Sequence, residues 1–376
     1  MANLLITGGA GYIGSHTCLT LLQNGHNLVV IDDFSNGSLD ALRTVAQLAG
    51  LQASTQPAPQ GSRNRQWHWS GTSGSSATGS GTSQGLTLIE GDIRQAADVQ
   101  LAFEGRSIEA VLHFAGLKAV AESVAKPLDY WDVNVAGTRQ VLEVMAENHC
   151  RTFVFSSSAT VYGMAAAVPI AETAPVQPIN PYGQTKAAVE QMLRDLAASG
   201  GGHEPGWRIA CLRYFNPVGA HESGSIGEDP DGIPSNLLPL ICQVASGQRP
   251  ALQVYGNDWA TPDGTGVRDY IHVMDLAEGH GAAVETLLAE GPQLLTLNLG
   301  SGQGHSVLQM VQAFELTNST SVPYELCGRR PGDSAVSVAD PSVARQRLGW
   351  RTCRDLAAIC RDAWRWHQQN PSGYAH

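Results

Sequence analysis

The chain has 376 residues, long enough for one large domain or two moderate domains with a sizeable buried core. Its 23 Lys and Arg residues against 34 Asp and Glu residues give a formal net charge of −11, and no basic run could neutralise a phosphate backbone, so we expect no nucleic acid as a partner. The seven Cys lack a Cys-x-x-Cys pair and the twelve His lack ligand spacing, so we expect free thiols in a reducing compartment and no metal site.

Short apolar runs alternate with amphipathic segments through the first part of the chain. The runs are NLLIT, NLVVID, LTLIEG, AVLHFAG, TFVFSSS and RIACLRYF. This rhythm is typical of β-α units around a parallel sheet buried on both faces, and it predicts a doubly wound α/β (Rossmann) fold. The start MANLLITGG lacks the features of a secretion signal, and no apolar run approaches the ~18 residues of a membrane helix, so we expect a cytoplasmic protein without membrane contact.

Two overlapping glycine patterns follow the first predicted strand. Gly8, Gly9, Gly11 and Gly14 lie between that strand and a helix that ends at Gly25. Gly11 allows the backbone to approach a pyrophosphate, and Gly14 allows helix and strand to pack closely. The helix N-terminus offers amide groups to the anion, so the stretch predicts a dinucleotide-binding loop.

Acidic residues follow the second and third predicted strands. Asp32 lies about twenty residues after the glycines, as the binding motif requires. Its carboxylate can accept hydrogen bonds from the adenosine ribose hydroxyls and repel a 2′-phosphate, and Asp33 adds to that repulsion. The pair predicts NAD rather than NADP as the cofactor. Asp92, in EGDIR, is placed either to meet the adenine amino group or to cap the following helix.

Residues 51–85 interrupt the alternation and are dominated by Gly, Ser, Thr, Gln and Ala. Such a composition cannot bury enough apolar area to offset its chain entropy, so we expect a flexible insert between the second β-α unit and the third strand. We interpret Trp67, His68 and Trp69 as a partly ordered turn on the surface rather than a docking patch. No function is assigned to the insert.

Three serines end the strand TFVFSSS, where open parallel sheets bind their ligands. Ser158 can relay or share a proton, whereas Ser156 and Ser157 fit hydroxyls that cap a loop.

The stretch PYGQTK contains a tyrosine and one of the chain's three lysines. Pro181 favours the start of a helix, so Tyr182 and Lys186 lie one turn apart on one face. A phenol is a poor base near neutral pH, but a nearby ammonium group favours the phenolate and would lower the pKa of Tyr182. We therefore expect Tyr182 to be a general base, with Lys186 as its electrostatic partner and a donor to the nicotinamide ribose.

The pattern becomes irregular after residue 214. We place the Rossmann domain at 1–214 and a smaller C-terminal substrate lobe at 215–376, with the segment at about 267–300 returning to the first domain. We expect strands near 267–271 and 294–299, and helices at about 306–317, 341–349 and 355–369.

The glycine loop, the strand-ending serine and the Tyr-x-x-x-Lys helix together resemble the extended short-chain dehydrogenase/reductases. The motifs TGGAGYIGSH, GDIR, HFAGLKAV, SSSATVYG, NPYGQTK, LRYFNPVGAH, GTGVRDYIHVMDLA and RRPGD are similar to those of the branch that epimerises UDP-glucose and UDP-galactose at C4. The resemblance covers nearly the whole chain except residues 51–85. It implies a tightly bound NAD, a UDP-sugar substrate, a transient 4-keto sugar, and a homodimer formed through helices that include the one bearing Tyr182.

The resemblance also implies roles for individual residues, with Tyr182 as base, Lys186 as its partner and Ser158 as hydroxyl relay. The matching cofactor positions are Gly8, Gly11, Tyr12, Ile13, Gly14, Asp32, Asp33, Asn36, Asp92, Ile93, Phe114, Ala115, Gly116, Lys118, Asn134, Ser158, Tyr182, Lys186 and Phe215. The matching sugar-nucleotide positions are Ser158, Tyr182, Asn216, Asn236, Leu237, Tyr255, Arg268, Arg330, Asp333 and Ser337. Two arginines suit a diphosphate, a tyrosine can stack on uracil, and a carboxylate can hold ribose hydroxyls.

Two positions depart from the family pattern. Val133 stands where an Asn often precedes Asn134, which removes one expected cofactor contact. Ser337 stands where the family has either a bulky tyrosine or a small residue beside the C2 substituent of the sugar. We therefore hypothesise that UDP-GlcNAc and UDP-GalNAc also fit.

Two other functions stay open. A nucleotide-sugar 4,6-dehydratase begins with the same oxidation, but it uses an acid and a base, usually an Asp-Glu pair, where this chain has Ala159 and Thr160. A non-catalytic NAD sensor would have no need of Tyr182, Lys186 and Ser158 together.

Overall fold

The computed structural model describes residues 1–53, 64–71, 84–165, 167–199, 206–230, 232, 234, 236–330 and 332–374. Within them the strands are β1 (Asn3–Thr7), β2 (Asn27–Asp32), β3 (Leu51–Ala53), β4 (Gln66–Gly71), β5 (Gly85–Glu90), β6 (Ala110–His113), β7 (Thr152–Ser158), β8 (Arg208–Tyr214), β9 (Asn216–Val218), β10 (Leu252–Tyr255), β11 (Val267–His272), β12 (Gln293–Leu299), β13 (Gly304–Ser306), β14 (Tyr324–Cys327) and β15 (Val336–Ser337).

The helices in the same residues are α1 (Tyr12–Gln23), α2 (Leu39–Leu48), α3 (Ala96–Phe103), α4 (Val120–Ala125), α5 (Pro127–Tyr130), α6 (Thr138–Glu147), α7 (Pro181–Ala198), α8 (Leu237–Ala245), α9 (Val273–Ala289), α10 (Val307–Asn318), α11 (Ser342–Leu348) and α12 (Leu356–Gln369). A π-helical segment spans Trp131–Gly137, and a 3₁₀ turn spans Ala159–Tyr162.

The main sheet has the strand order β12-β8-β7-β6-β1-β2-β5-β4-β3. The first seven strands in this order are parallel, and β4 and β3 are added antiparallel at the β5 edge. The predicted doubly wound Rossmann fold is therefore confirmed. The chain leaves β1 in one direction towards β2 and in the other towards β6, so a crevice forms at the carboxyl ends of these strands, where such sheets bind ligands.

The central strands form because each apolar run is buried on both faces. Alternate residues of a strand point to opposite faces. Leu4 and Ile6 of β1 pack with α1, α2 and α9 on one face, whereas Leu5 packs with α3, α6 and α7 on the other. This two-sided burial explains why the runs read as continuous rather than alternating apolar sequence.

The prediction of a flexible insert over residues 51–85 is wrong for the part that the structure describes. There β3 and β4 extend the sheet, and β4 carries Trp67, His68 and Trp69, so they are strand residues and not a surface turn. Trp69 is buried and joins the apolar cluster that contains Leu86, because pairing with β5 places it over the core. Residues 54–63 and 72–83 lie outside the described residues.

The second half of the chain builds a smaller lobe and also returns to the main sheet. β11 pairs with β9, β13 and β15, β10 pairs with β14, and α8, α10 and α12 share one apolar cluster. Within the segment 267–300, α9 packs on the main-sheet face and β12 pairs with β8, whereas β11 belongs to the smaller sheet.

Among the described residues, no helix is long and apolar enough to cross a membrane. Over the same residues, no group of three or more His, Cys, Asp or Glu side chains is arranged to hold a metal ion.

Candidate active site

The glycine loop joins β1 to α1 in a tight turn that tolerates no side chain at two positions. Gly8 has a left-handed φ of +69°, and a β-carbon there would overlap the backbone of Ala115. A β-carbon at Gly14 would overlap the carbonyl oxygen of Gly8. At Gly11, which directly precedes α1, the nearest atom to a β-carbon would be that same oxygen at 3.5 Å. Space beside Gly11 at the start of a helix is what an anionic ligand requires.

Asp32 ties the glycine loop to the loop that follows β2. Its Oδ2 accepts a hydrogen bond from the Ala10 amide and its Oδ1 accepts one from the Phe34 amide, both at 2.9 Å. Burial raises the pKa of Asp32 to about 6. An ionised carboxylate offers about four acceptor sites, so Asp32 keeps capacity for ribose hydroxyls. Asp33 accepts hydrogen bonds from the backbone and side chain of Ser35.

A cleft beside Gly11 contains several of the predicted cofactor residues. Tyr12, Asn36 and Lys118 line it, and the sequence-based reasoning missed Glu228 and Tyr374, which also line it. Lys118 Nζ lies 3.4 Å from a Glu228 carboxylate oxygen. The Tyr12 hydroxyl donates to the carbonyl of Gly219 at 2.7 Å, and Ile13 packs against the apolar core. The cleft therefore lies between the glycine loop and the C-terminal half of the chain.

Asp92 lies after β5, and its carboxylate is held by the Arg94 side chain, with the shortest contact at 2.6 Å. The alternative that Asp92 caps the next helix is wrong, because Gln95 precedes α3 and Asp92 instead accepts the Arg94 amide at 2.8 Å. Ile93 is buried against Gly137, where a β-carbon would meet its side chain.

The loop after β6 connects the glycine turn with the Tyr182 helix. Ala115 abuts Gly8, and a β-carbon at Gly116 would lie 3.8 Å from Lys186 Nζ. Asn134 holds this loop, because its amide oxygen accepts the Leu117 amide at 2.8 Å. The same side chain donates to the Leu117 carbonyl and to the Thr185 hydroxyl on α7. Asn134 is thus engaged within the protein and positions the loop that carries Lys118.

Two further residues from the cofactor prediction are aromatic. The Phe114 ring lies 4.8 Å from that of His280, which is on α9. Phe215 is buried in a small cluster with Tyr162 and Ala339.

Tyr182, Lys186 and Ser158 meet at the carboxyl end of β7. The helix α7 begins at Pro181 because the Asn180 side chain caps it by accepting the Gly183 amide at 2.8 Å. Lys186 Nζ donates to the Ser156 carbonyl at 2.8 Å and lies 5.8 Å from the centre of the Tyr182 ring. The Ser158 side chain acts on the Tyr182 phenol and opposes the rise in its pKa.

The electrostatics of this group differ from the expectation. Burial raises the pKa of Tyr182, and the Ser158 side chain opposes that rise without cancelling it. The expected lowering of the Tyr182 pKa by Lys186 does not appear: burial and Ser158 are the causes of the shift, and the Lys186 ammonium group donates to the Ser156 carbonyl. Burial also lowers the pKa of Lys186 to about 8. At neutral pH the lysine is therefore mostly protonated, and the phenol keeps its proton.

The three serines differ from their expected roles, because the capping role expected for Ser156 and Ser157 belongs to Ser158. The Ser158 oxygen accepts from the Thr160 amide at 3.2 Å, so it caps the 3₁₀ turn as well as affecting the pKa of Tyr182. Ser157 caps no loop, and donates to a buried carboxylate, Glu190, at 2.6 Å. Ser156 contributes its carbonyl to Lys186.

A buried ion pair behind these serines was not found from the sequence. Arg213 of β8 donates to both carboxylate oxygens of Glu190, at 2.8 and 2.6 Å. It also donates to the Tyr162 hydroxyl, which in turn donates to Asn298 of β12. The available signal was the spacing of Glu190, four residues after Lys186 and hence on the same helix face. The network fixes α7 against the ends of three strands.

The predicted sugar-nucleotide residues converge from segments distant in sequence. Arg330 pairs with Asp333 at 3.1 Å, and its guanidinium carbon lies 4.9 Å from the centre of the Tyr255 ring. Arg268 Nη2 lies 3.9 Å from Asp333 Oδ1, and burial lowers the pKa of Arg268. Ser337 is the β15 partner of Arg268 in the parallel ladder. Two guanidinium groups, a carboxylate and an aromatic face thus form one cluster.

The other predicted sugar-nucleotide residues connect this cluster with the cofactor cleft. Asn216 lies on β9 and pairs with Tyr270 of β11. Asn236 donates to Glu228 at 2.6 Å, the same carboxylate that faces Lys118, and Leu237 begins α8. The site thus has three parts: a cleft beside the glycine loop, the group formed by Tyr182, Lys186 and Ser158, and a cluster of two arginines, a carboxylate and an aromatic ring.

Comparison with known proteins gives concordant matches. The sequence model of the NAD dependent epimerase/dehydratase family matches residues 4–300. The chain is 48% identical over 372 residues to the UDP-glucose 4-epimerase of Bacillus subtilis (strain 168), covering 99% of this chain and 98% of that protein.

Solved structures are similar over the same extent. The UDP-glucose-4-epimerase from Stenotrophomonas maltophila with bound NAD and formylated UDP-arabinopyranose has a TM-score of 0.86 and 44% identity, with 99% of both chains covered. The UDP-glucose 4-epimerase from Bifidobacterium longum in complex with NAD⁺ and UDP has a TM-score of 0.85 and 41% identity, covering 99% of this chain and 100% of that one.

Proposed function

The chain belongs to the NAD dependent epimerase/dehydratase family, and from that premise we propose that Tyr182, Lys186 and Ser158 catalyse the C4 epimerisation of a UDP-sugar. The activity is the reversible conversion of UDP-galactose and UDP-glucose with NAD as the cofactor. The observation that carries the proposed site is the meeting of these three side chains beside the loop that abuts both Gly8 and Lys186.

The residues present fit a bound NAD. The space at Gly11 suits the pyrophosphate, and the remaining acceptor sites of Asp32 suit the ribose hydroxyls. When bound, NAD supplies a hydride acceptor for C4 and a positive charge beside the phenol. Lys118, Asn36 and Tyr12 line the same cleft and support this position.

Tyr182 holds and moves the proton of the 4-hydroxyl. Its phenolate takes that proton as C4 is oxidised to the 4-keto sugar, and the phenol returns it when C4 is reduced on the other face. Ser158 favours the phenolate, whereas the Lys186 ammonium, 5.8 Å from the centre of the Tyr182 ring, would be a donor to the nicotinamide ribose. Burial raises the pKa of free Tyr182, and a positive charge beside the phenol would favour its ionisation.

Arg268, Arg330 and Asp333 hold the nucleotide while the sugar turns. Guanidinium groups bind diphosphate oxygens through paired hydrogen bonds, and the Tyr255 face, which is 40% exposed, suits stacking on uracil. Binding energy at this remote end retains the 4-keto sugar without restraining its rotation. Ser337, beside Arg268, supports acceptance of UDP-GlcNAc and UDP-GalNAc because its side chain is small.

The 4,6-dehydratase alternative receives no support from the residues after Ser158. Ala159 and Thr160 form the 3₁₀ turn there, and neither supplies the carboxyl group that elimination of water requires.

Assembly and location form part of the same proposal. Val120, Val124, Leu128 and Trp131 are exposed apolar side chains on adjoining helical segments, which supports a homodimer through this face together with α7. The seven cysteines are free thiols, which supports a cytoplasmic location. Residues 1–214 form the NAD-binding domain and residues 215–376 the sugar-nucleotide lobe, with α9 and β12 returning to the first.

The base assignment is tested with Tyr182→Phe, which removes the ionisable hydroxyl and little volume. We expect kcat for UDP-galactose to fall by about 10²- to 10⁴-fold, the usual contribution of a general base, with NAD content unchanged. Tyr130→Phe is the matched control, because its ring packs 6.4 Å from Tyr182 while its hydroxyl bonds to Ala119 and Glu122. Near-normal turnover by Tyr182→Phe would remove the assignment.

A further inference from the structure

The described part of the 51–85 segment lies beside the loop that follows β2. Because β4 is antiparallel to β5, its first residues lie at the carboxyl end of β5, with Trp67 opposite Leu88. Arg65 fixes this end of β4, since its Nε donates to a Glu90 carboxylate oxygen at 2.5 Å and its carbonyl accepts the Glu90 amide at 2.9 Å. The start of β4 is thereby anchored at the ligand-binding edge of the sheet.

Trp67 connects this strand to the 33–38 loop. Its ring lies 6.0 Å from the Phe34 ring at an angle of 84°, an edge-to-face contact, and the Arg65 guanidinium lies 5.4 Å from the Trp67 ring centre. Phe34 has a left-handed φ of +57°, which is uncommon for a bulky residue and needs support from its surroundings. The Phe34 amide donates to Asp32.

The 33–38 loop forms one wall of the cofactor cleft. Asn36 and Ser38 line the cleft beside Gly11, and the Ser38 amide donates to the Ala10 carbonyl at 3.2 Å. A change in the Phe34 conformation would therefore move the chain that lies against the proposed ribose and pyrophosphate positions.

We infer that Trp67 is a positioning residue for NAD, acting through Phe34 to hold the 33–38 loop in its binding conformation. This inference rests on the proposed use of NAD. It gives the segment a role that its composition does not suggest: a single aromatic side chain, placed by β4, pre-organises the adenosine half of the site. Trp67 is not a catalytic residue, because it touches the loop and not the reacting groups.

The size of the effect is limited by the aromatic contact. An edge-to-face pair contributes about 0.5–1.5 kcal/mol beyond its buried area, which corresponds to a factor of roughly 2 to 12 in an equilibrium constant. If Trp67→Ala shifts the conformational equilibrium of the 33–38 loop by that factor, the apparent affinity for NAD falls by up to the same factor. We expect turnover at saturating NAD to change little, since Trp67 does not contact Tyr182, Lys186 or Ser158.

The test measures NAD binding to full-length Trp67→Ala after the cofactor has been stripped and then titrated back. We expect its Kd for NAD to rise by about 2- to 12-fold, with Trp67→Phe close to the wild-type value. Trp69→Ala is the matched control, because Trp69 lies two residues after Trp67 in β4 and therefore on the same face of the strand. If Trp67→Ala does not fold, Trp67→Leu replaces it, keeping an apolar side chain without the ring.

Three results would overturn the inference. A Kd for Trp67→Ala or Trp67→Leu equal to that of the wild type removes the positioning role. An equal loss in Trp69→Ala assigns the effect to the strand as a whole. Failure of the wild-type chain to bind NAD at all refutes the proposed function itself, which separates that failure from a failure of the Trp67 role.

Discussion

Removing the positive charge from the buried Glu190–Arg213 pair is expected to destabilise the protein strongly. Both side chains are almost fully buried, at 0% and 3% exposure, and their closest atoms are 2.6 Å apart. Arg213→Met keeps most of the volume but leaves the Glu190 carboxylate with Ser157 and with the half-exposed Arg194 at 3.5 Å. Breaking a buried pair from one side costs about 3–5 kcal/mol. That is a large part of a typical stability of about 5–15 kcal/mol.

The assay is urea unfolding followed by circular dichroism at pH 7. The pairing with Arg213 lowers the pKa of Glu190 against the opposing effect of burial, so in Arg213→Met the carboxyl group takes up a proton on folding and stability rises as the pH falls. The double variant Arg213→Met/Glu190→Leu should recover most of the loss, because no buried charge remains. A loss below about 1 kcal/mol in the single variant, the level of an exposed pair, would refute this reasoning.

Three further predictions follow from other parts of the molecule. Ser337→Tyr should abolish turnover of UDP-GlcNAc while UDP-galactose is still epimerised; equal loss for both sugars would contradict the proposed role at C2. Burial lowers the pKa of His113 from 6.5 to about 3. The unfolded chain therefore binds more protons than the folded chain below pH 6.5, and the free energy of unfolding decreases as the pH decreases. Chemical unfolding of His113→Gln at pH 6 and 4 should show a pH dependence smaller by about 1.4 kcal/mol per pH unit, and an unchanged slope would oppose this. Asp32→Asn should narrow the preference for NAD over NADP in titrations, whereas an unaltered ratio would exclude Asp32 as its source.

The sheet and its main helices were predictable because their signals are local. TFVFSSS is β7 from end to end, and the predicted helices at 306–317 and 355–369 differ from α10 and α12 by about one residue at their ends. Strands buried on both faces produce apolar runs, and Pro181 together with Asn180 defines the start of α7. Tyr182 and Lys186 were identifiable for the same reason, since helix periodicity alone brings them together.

The features that were missed depend on partners distant in sequence. Trp69 is buried only because β4 pairs with β5, so the polar composition around it gave the wrong interpretation. Arg213 is on a strand and Glu190 is on a helix. The spacing of Glu190 four residues after Lys186 indicates its helix face, but the sequence near either residue does not identify its partner. The direction of the Lys186 side chain, towards the Ser156 carbonyl, likewise depends on the packing of α7 against β7.

Tyr182, Lys186 and Ser158, together with a bound NAD, are proposed to invert the configuration of the sugar at C4 with no net oxidation. The most direct measurement incubates the purified chain, without added cofactor, with UDP-galactose and separates the products. We expect a mixture of UDP-glucose and UDP-galactose that is reached equally from either sugar and is lost in Tyr182→Phe. Accumulation of a 4-keto-6-deoxy sugar nucleotide, or no conversion by a chain that retains NAD, would contradict it.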